Sequence, residues 1–223
     1  MPIQRVLKTG GVKSSHIAAN AVGSSELDLT ASYAFTGTVT GTGMDLVSSS
    51  STTSSGLSAL EIDLPTTTDF VALKLILRGL KCSAATNNHW RVRFRSEGGS
   101  IISSASYNYL FSHYYSNDSS HGADYHHDLN VDNINFGGYV GDGTDDSEMT
   151  SMEFDIHNSA TSGRYTRGFA SKSVEKRHTD TYHYANNGSF TVASNNVLDR
   201  IEIVVTGGSS FTSYGYALYK VLF

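Results

Sequence analysis

Histidine and aspartate residues are concentrated in one segment, SHYYSNDSSHGADYHHD, at residues 112–128. Imidazole and carboxylate groups ligate transition metals, and a catalytic zinc takes three such ligands and keeps one position open. The segment contains no H-E-x-x-H motif, and the adjacent His126 and His127 would point to opposite faces of a strand. We therefore favour a polar loop over a metal site, and we expect no cofactor.

Carboxylates also cluster in GDGTDDSE, at residues 141–148. Oxygen ligands of this kind suit calcium, and they come from Asp142, Asp145, Asp146 and Glu148. Their spacing differs from the EF-hand pattern D-x-[DN]-x-[DN]-G. We favour a solvated acidic turn over a metal site here as well.

Three arginines alternate with apolar residues in WRVRFRS. Arg91, Arg93 and Arg95 would share one face of a strand, with neighbours about 7 Å apart. Guanidinium groups match the geometry of phosphates and carboxylates, so the row is a candidate contact for a partner. Pairing within the chain, to acidic cross-strand neighbours such as Glu153 and Asp155, is the alternative that we favour.

Aromatic residues and histidines form the remaining candidate binding set. In segments that we expect to be loop-like, the candidate ligand-binding residues are Tyr109, His113, Tyr114, Tyr115 and His126. Aromatic rings stack on the apolar faces of sugars while neighbouring polar groups reach the hydroxyls. The same residue types suit a subunit interface, so both uses stay open.

The sequence carries none of the common catalytic motifs. It has no G-x-S-x-G elbow, no P-loop and no G-x-G-x-x-G, and no spaced pair of acid and base residues stands out. We therefore expect a protein that is not an enzyme.

Composition narrows the class of protein further. The chain has 223 residues, a net charge of −5 and a single cysteine, so it cannot form an intramolecular disulfide. This charge gives no reason to expect a nucleic-acid partner, and no stretch approaches the apolar length of a membrane span. Residues 1–20 lack the apolar core of a secretory signal, and we expect folding in a reducing cytoplasm.

Apolar and polar residues alternate from Leu57 onward, as half-buried strands require. The inward rows are Leu60, Ile62 and Leu64; Val71, Leu73, Leu75 and Leu77; Trp90, Val92 and Phe94; Met152, Phe154 and Ile156; and Ile201, Ile203 and Val205. Gly/Asn/Ser turns separate these rows, and no long helical pattern competes with them. The sequence predicts an all-β fold whose head is an antiparallel, jelly-roll-like β-sandwich.

The N-terminal stretch VKSSHIAANAVGSSEL has a different pattern. Its apolar residues recur every five positions, which fits neither a helix nor a strand, at Val12, Ile17, Val22 and Leu27. Ser14 or Ser15 can cap a short helix over residues 16–22, and Gly23 can end it. Because so short a helix is unstable alone, it must pack against its own domain, other copies of itself or a larger body.

These differences in composition and residue spacing divide the chain into three predicted regions. Residues 1–29 are predicted to form a mostly irregular anchor that contains the short helix. Residues 30–56 are rich in Gly, Ser and Thr and are predicted to be a connector. Residues 57–223 form the predicted β-sandwich head.

The stretch at residues 12–41 resembles a sequence pattern that is common in virion structural proteins of tailed bacteriophages. In those proteins an Ile/Val-x-x-x-x-Ile-Ala-x-x-Ala-Val segment leads into a Y-x-F-T-G-T-V-x-G connector. The matching positions here are Val12, Ile17, Ala18, Ala21 and Val22, followed by Tyr33, Phe35, Thr36, Gly37, Thr38, Val39 and Gly41.

Two later stretches resemble the same proteins. DFVALKLILRGLKC with WRVRFRSEGGS is similar to their first core hairpin, and LDRIEIVVTGGSSFTSYGYALYKV is similar to their closing pair of strands. Lys220 stands where the family often has glycine. Residues 100–150 depart most from the family pattern.

The resemblance implies a fibre, tail or capsid-decoration protein of the virion, commonly a homotrimer, assembled in the cytoplasm of a bacterial host. Its partners would be capsid, portal or tail proteins, and its head could also bind a host surface polysaccharide. The anchor residues would be Val12, Ile17, Ala18, Ala21, Val22, Leu27, Tyr33 and Phe35. A metal held on a threefold axis by one histidine from each chain would give residues 113–128 a role in such a trimer.

Overall fold

Strands dominate the residues that a computed structural model describes, which are 43–53, 56–83, 89–103, 105–116, 121–136, 149–174 and 183–222. One short 3-10 turn, Thr206–Gly208, accompanies them, and no α-helix is present within these ranges. The strands are β1 (Met44–Thr52), β2 (Ala59–Asp63), β3 (Ala72–Cys82), β4 (Trp90–Ser96), β5 (Tyr107–Ser116), β6 (His121–Val131), β7 (Ile134–Phe136), β8 (Thr150–His157), β9 (Thr166–Val174), β10 (His183–Val192), β11 (Leu198–Val205) and β12 (Phe211–Val221).

The strands form two sheets in which neighbours are antiparallel. The larger sheet has eight strands in the order β1-β12-β3-β8-β9-β10-β5-β6, and the smaller has four in the order β2-β11-β4-β7. The all-β, antiparallel part of the sequence prediction is therefore confirmed. The short helix predicted at residues 16–22 lies outside the described residues. Within the described ranges there is no helix long and apolar enough to cross a bilayer.

The alternating rows point into the core as the sequence predicts. Leu73, Leu75 and Leu77 are fully buried, and the inward apolar residues of β4, β8 and β11 are buried as well. Val71 is the exception, because it precedes β3 and is 41% exposed, whereas its neighbour Phe70 is buried.

Aromatic side chains join the two sheets across this core. The ring centroids of Trp90 on β4 and Phe211 on β12 are 5.3 Å apart. Phe94 on β4 stacks on Phe190 of β10 at 6.0 Å. Because each pair takes one ring from each sheet, the inner faces of the two sheets bury one another's apolar side chains.

The first core hairpin expected from the family resemblance is not a hairpin, and the two strands of the expected closing pair do not pair with each other. β3 belongs to the eight-stranded sheet and β4 to the four-stranded sheet, and β11 and β12 are divided in the same way. The chain therefore crosses from one sheet to the other at these two connections. Alternation along a strand predicts which side chains are buried, but it does not determine which strands pair.

Residues 44–52 also differ from the expectation. The sequence placed them in the connector, but they form β1, an edge strand that pairs with β12 from Met44↔Val221 to Thr52↔Tyr214. The cause is the backbone: a Ser/Thr-rich edge strand needs little side-chain burial when its ladder to β12 supplies its hydrogen bonds. Residues 30–42 of the predicted connector lie outside the described residues.

Two glycines shape the inner face of the larger sheet. A Cβ on Gly188 of β10 would collide with the carbonyl of Leu110 and with Phe111, and one on Gly168 of β9 would meet the Phe190 ring at 2.5 Å. The aromatic rings occupy the space above these glycines. The residue next to Gly168 along β9 is Phe169, which points outward and is 63% exposed.

Candidate binding trench on the eight-stranded sheet

The outer face of the eight-stranded sheet carries a groove of about 450 Å³, which we call the trench. Leu110 on β5 pairs with Ser189 on β10, which pairs in turn with Phe169 on β9. Tyr125 on β6 and Asp155 on β8 continue the lining to either side. The trench therefore crosses five consecutive strands of one sheet.

Side-chain size explains why a groove forms here. The two residues of β10 that face the trench, Asn187 and Ser189, are short, whereas the neighbouring strands carry Leu110 and Phe169. Cross-strand neighbours lie side by side on one face of a sheet. Since β5 and β9 are two strand spacings apart, or about 10 Å, the short residues form a floor between two bulky walls.

The walls are unusually exposed for large apolar side chains. Leu110 is 53%, Phe169 63% and Tyr125 73% exposed. Single exposed apolar residues are ordinary, but several that line one groove are typical of a surface that a ligand or partner covers.

Carboxylates lie at one end of the trench. Glu153 Oε1 accepts a hydrogen bond from Arg78 Nη2 at 2.5 Å, and Lys74 Nζ lies 3.3 Å from both Glu153 Oε2 and Asp155 Oδ1. The hydrogen bond from Arg78 holds the pKa of Glu153 below its usual value. Partial burial alone would lower the pKa of Lys74. The carboxylates of Asp155 and Glu153 outweigh this effect and raise the pKa above its usual value. Glu153 is therefore an ionised acceptor at neutral pH.

The candidate ligand-binding residues of the sequence analysis lie on strands rather than loops, and they face in two directions. Tyr109, His113 and Tyr115 occupy the inner face of β5, whereas Tyr114 points outward and is 49% exposed. His126 on β6 pairs with Phe111, so it also belongs to the inner face. The polar composition of residues 112–128 suggested a loop. It is explained by the position of the β5–β6 hairpin at the edge of the larger sheet, where most residues of β6 are exposed.

The inner residues contact one another and their neighbours. The Tyr109 hydroxyl donates to Asp128 Oδ2 at 2.6 Å and lies 3.2 Å from His126 Nε2. His113 stacks on Tyr184 with a centroid distance of 5.4 Å. Burial lowers the pKa of both His113 and His126, so burial works against the protonated form of each ring.

A metal site was the alternative for residues 113–128. Among the residues that the structure describes, no three His, Cys, Asp or Glu side chains are grouped to hold a metal ion. The acidic turn at 142–148 lies outside those residues. A metal on a threefold axis concerns several chains and stays a hypothesis.

The arginine row pairs within the chain, but with partners other than those expected. Arg93 contacts Glu202 at 2.6 Å, and Arg95 makes two contacts to Asp199 at 2.8 and 3.0 Å. Glu153 and Asp155, the expected partners, belong to β8 in the other sheet, while β11 is the neighbour of β4. Arg91 is exposed, and a contact of this row with a partner stays a prediction.

The anchor residues proposed from the sequence lie outside the described residues, and so their role stays a prediction. They are Val12, Ile17, Ala18, Ala21, Val22, Leu27, Tyr33 and Phe35.

The trench residues were not among the sequence candidates. A signal for one wall was present in TRGFASKSV, where the small Gly168 and Ala170 flank Phe169. On a strand with small residues inward, the large residue between them must lie on the outer face. The opposite wall gave no such signal, because Leu110 sits in the continuous apolar run YLF.

Comparisons of this chain with models of protein families, with curated proteins and with solved structures found no match. The trench is therefore interpreted from its own geometry and chemistry.

Proposed function

We propose that this chain is a non-enzymatic structural component of a phage particle, attached by its N-terminal segment and projecting its β domain outward. The observation that carries the proposal is the layout of the chain. A segment with five-residue apolar spacing precedes a domain whose described strands and core all lie within residues 43–222. The resemblance of residues 12–41 to tailed-phage virion proteins supports the same layout.

The proposal includes a jelly-roll sandwich for the head. Two features of the strand order support this fold. β2 and β11 are adjacent in the smaller sheet, and between the described strands the chain changes sheets at β1–β2, β2–β3, β3–β4, β4–β5, β6–β7, β7–β8, β10–β11 and β11–β12. Such crossings between two antiparallel sheets are typical of paired Greek keys. The meander β8-β9-β10 then takes the place of one strand of the simple jelly roll.

Jelly rolls occur both in viral capsid proteins and in lectins, so the fold by itself does not indicate one function. A homotrimer within the virion, bound to capsid, portal or tail proteins, belongs to the proposal through the resemblance. Three copies of the N-terminal segment could bury their five-residue apolar rows against one another or in a groove of the particle.

The test is incorporation into particles of a phage whose own copy of the gene is disrupted, with each variant supplied from a plasmid in the bacterial host. One variant replaces Val12, Ile17, Val22 and Leu27 by serine, and the matched control replaces the polar neighbours Ser14, Ser15, Asn20 and Ser24 by alanine. We expect the first variant to be missing from purified particles although its head is folded by circular dichroism, and the control to be incorporated. Normal incorporation of the first variant, or of a chain that lacks residues 1–29, would contradict the proposal.

A further inference from the structure

Attachment through the N-terminal segment gives no role to the trench on the outer face of the larger sheet. We infer that the trench binds a neutral saccharide, with Phe169 and Leu110 as its apolar walls and Asn187, Ser189, Glu153 and Asp155 as its polar contacts. This inference assigns a ligand class to the head and goes beyond the proposed structural role.

The shape of the trench suits a flat, elongated ligand. Its volume of about 450 Å³ lies within the range of small-molecule sites. It is open along the outer face of the sheet, and its width is set by the two strand spacings between β5 and β9. A sugar chain can therefore lie in it without its ends being enclosed.

The chemistry of the lining matches the two surfaces of a sugar ring. A pyranose has apolar C–H faces and a rim of hydroxyls. Phe169 and Tyr125 present aromatic surface and Leu110 adds aliphatic surface, all more than half exposed. Between them, the Asn187 amide and the Ser189 hydroxyl can both donate and accept hydrogen bonds.

Charge selects a neutral sugar. The ionisable side chains that line the trench, within the described residues, are the carboxylates of Glu153 and Asp155 and the hydroxyl of Tyr125. Their cationic partners, Lys74 and Arg78, do not line it. Ionised carboxylates accept hydrogen bonds from hydroxyls, whereas the described lining presents no lysine or arginine that could pair with the carboxylate, sulfate or phosphate of an acidic saccharide.

The same pattern argues against a second copy of the chain as the occupant. The cores of interfaces between identical chains are apolar and depleted in charge. Here a polar floor separates Leu110 from Phe169, and two carboxylates lie at one end. The apolar surface is therefore divided into walls rather than joined in one patch.

The experiment is a calorimetric titration of the purified full-length protein with neutral hexasaccharides of glucan, mannan and galactan type, and with oligogalacturonate as the acidic probe. Two trench variants, F169A and L110A, are compared with Y165A and L129A. The control residues are similarly exposed, at 45% and 70%, and do not line the trench. Since all four side chains are exposed, we expect all four variants to fold.

We expect at least one neutral probe to bind, and Kd to rise about tenfold or more in F169A and L110A but to stay within about twofold in Y165A and L129A. The inference is overturned if no neutral probe binds at about 10 mM, if oligogalacturonate binds as tightly, or if the trench variants bind normally. It is also overturned if F169A and L110A change the oligomeric state while their controls do not. The trench variants should enter particles normally, so this test and the incorporation test can fail separately.

Discussion

At the scale of single residues, Lys172 is the most unusual side chain of the described structure. It lies on β9 with 2% of its surface exposed, on the inner face beside Asn186 of β10 and Met152 of β8. Burial lowers its pKa to about 7, and its charge also lowers the pKa of His113 on β5. A lysine in this position is readily deprotonated, because water cannot solvate the ammonium form.

Replacing Lys172 by methionine tests this interpretation. The folded-state pKa lies below the unfolded value of about 10.4, so the unfolded chain binds more protons between about pH 7 and pH 10. The free energy of unfolding of the wild type therefore rises with pH across this window, and K172M loses that rise. At pH 7 we expect K172M to be more stable by about 2 kcal/mol, measured by urea denaturation.

The control for this experiment is K74M, on the outer face of the same sheet. The carboxylates of Asp155 and Glu153 raise the pKa of Lys74. The contribution of Lys74 to the free energy of unfolding is therefore fully present below about pH 10 and is lost only above that pH. K74M should therefore keep the wild-type rise between pH 7 and pH 10. A flat wild-type profile, or a rise that K172M retains, would show that Lys172 is charged in the folded protein.

At the scale of elements, the close approach of β10 to β5 depends on Gly188. A methyl group at this position would collide with the Leu110 carbonyl and lie 2.7 Å from the Phe111 ring. Neither atom group can move freely, since one is backbone and the other is a fully buried ring. We expect G188A to lower the free energy of unfolding by about 2–3 kcal/mol in urea denaturation of the full chain.

Gly215 provides the matched comparison, because it lies on β12 of the same sheet and a Cβ there would come no nearer than 3.5 Å to any atom outside its neighbours. G215A should change stability by no more than about 0.5 kcal/mol. Equal effects of G188A and G215A would mean that β10 can shift away from β5 at little cost.

Sequence patterns predicted individual strands better than the sheets built from them. The rows of β2, β4, β8 and β11 were visible because burial of one face forces a period of two. Pairing was not visible, since it depends on contacts between distant parts of the chain, and for this reason the arginines of β4 were assigned to acidic residues of the wrong sheet. The β5–β6 hairpin was taken for a loop because its edge position permits a polar sequence.

The trench was harder to predict than the strands. A candidate site on a sheet is a property of side-chain sizes on several neighbouring strands, and Leu110, Ser189 and Phe169 become neighbours only through the register. The candidate set of tyrosines and histidines was chosen by composition alone. Alternation along β5 then divides that set between the two faces of the sheet.

At the scale of the whole molecule, the last described strand, β12, is an interior strand of the eight-stranded sheet. β12 lies between β1 and β3, so residues 211–221 pair with residues 44–52 on one side and 72–82 on the other. Phe211 and Leu218 are buried in the common core. Because these pairings join distant parts of the chain, the sheet cannot be completed until nearly all of it is available.

This arrangement predicts opposite results for truncations at the two ends. Deleting residues 211–223 removes the strand that holds β1 and β3 together, and we expect no cooperative thermal transition by circular dichroism. Deleting residues 1–41, a segment about three times as long, spares every described strand, and we expect its unfolding midpoint to stay within about 4 °C of the wild type. If the shorter truncation unfolded cooperatively near the wild-type midpoint, β12 would be an accessory edge rather than part of the core. If the longer one failed to fold, residues 1–41 would be part of the head's folding unit, and an anchor that can be removed from a folded head would be ruled out.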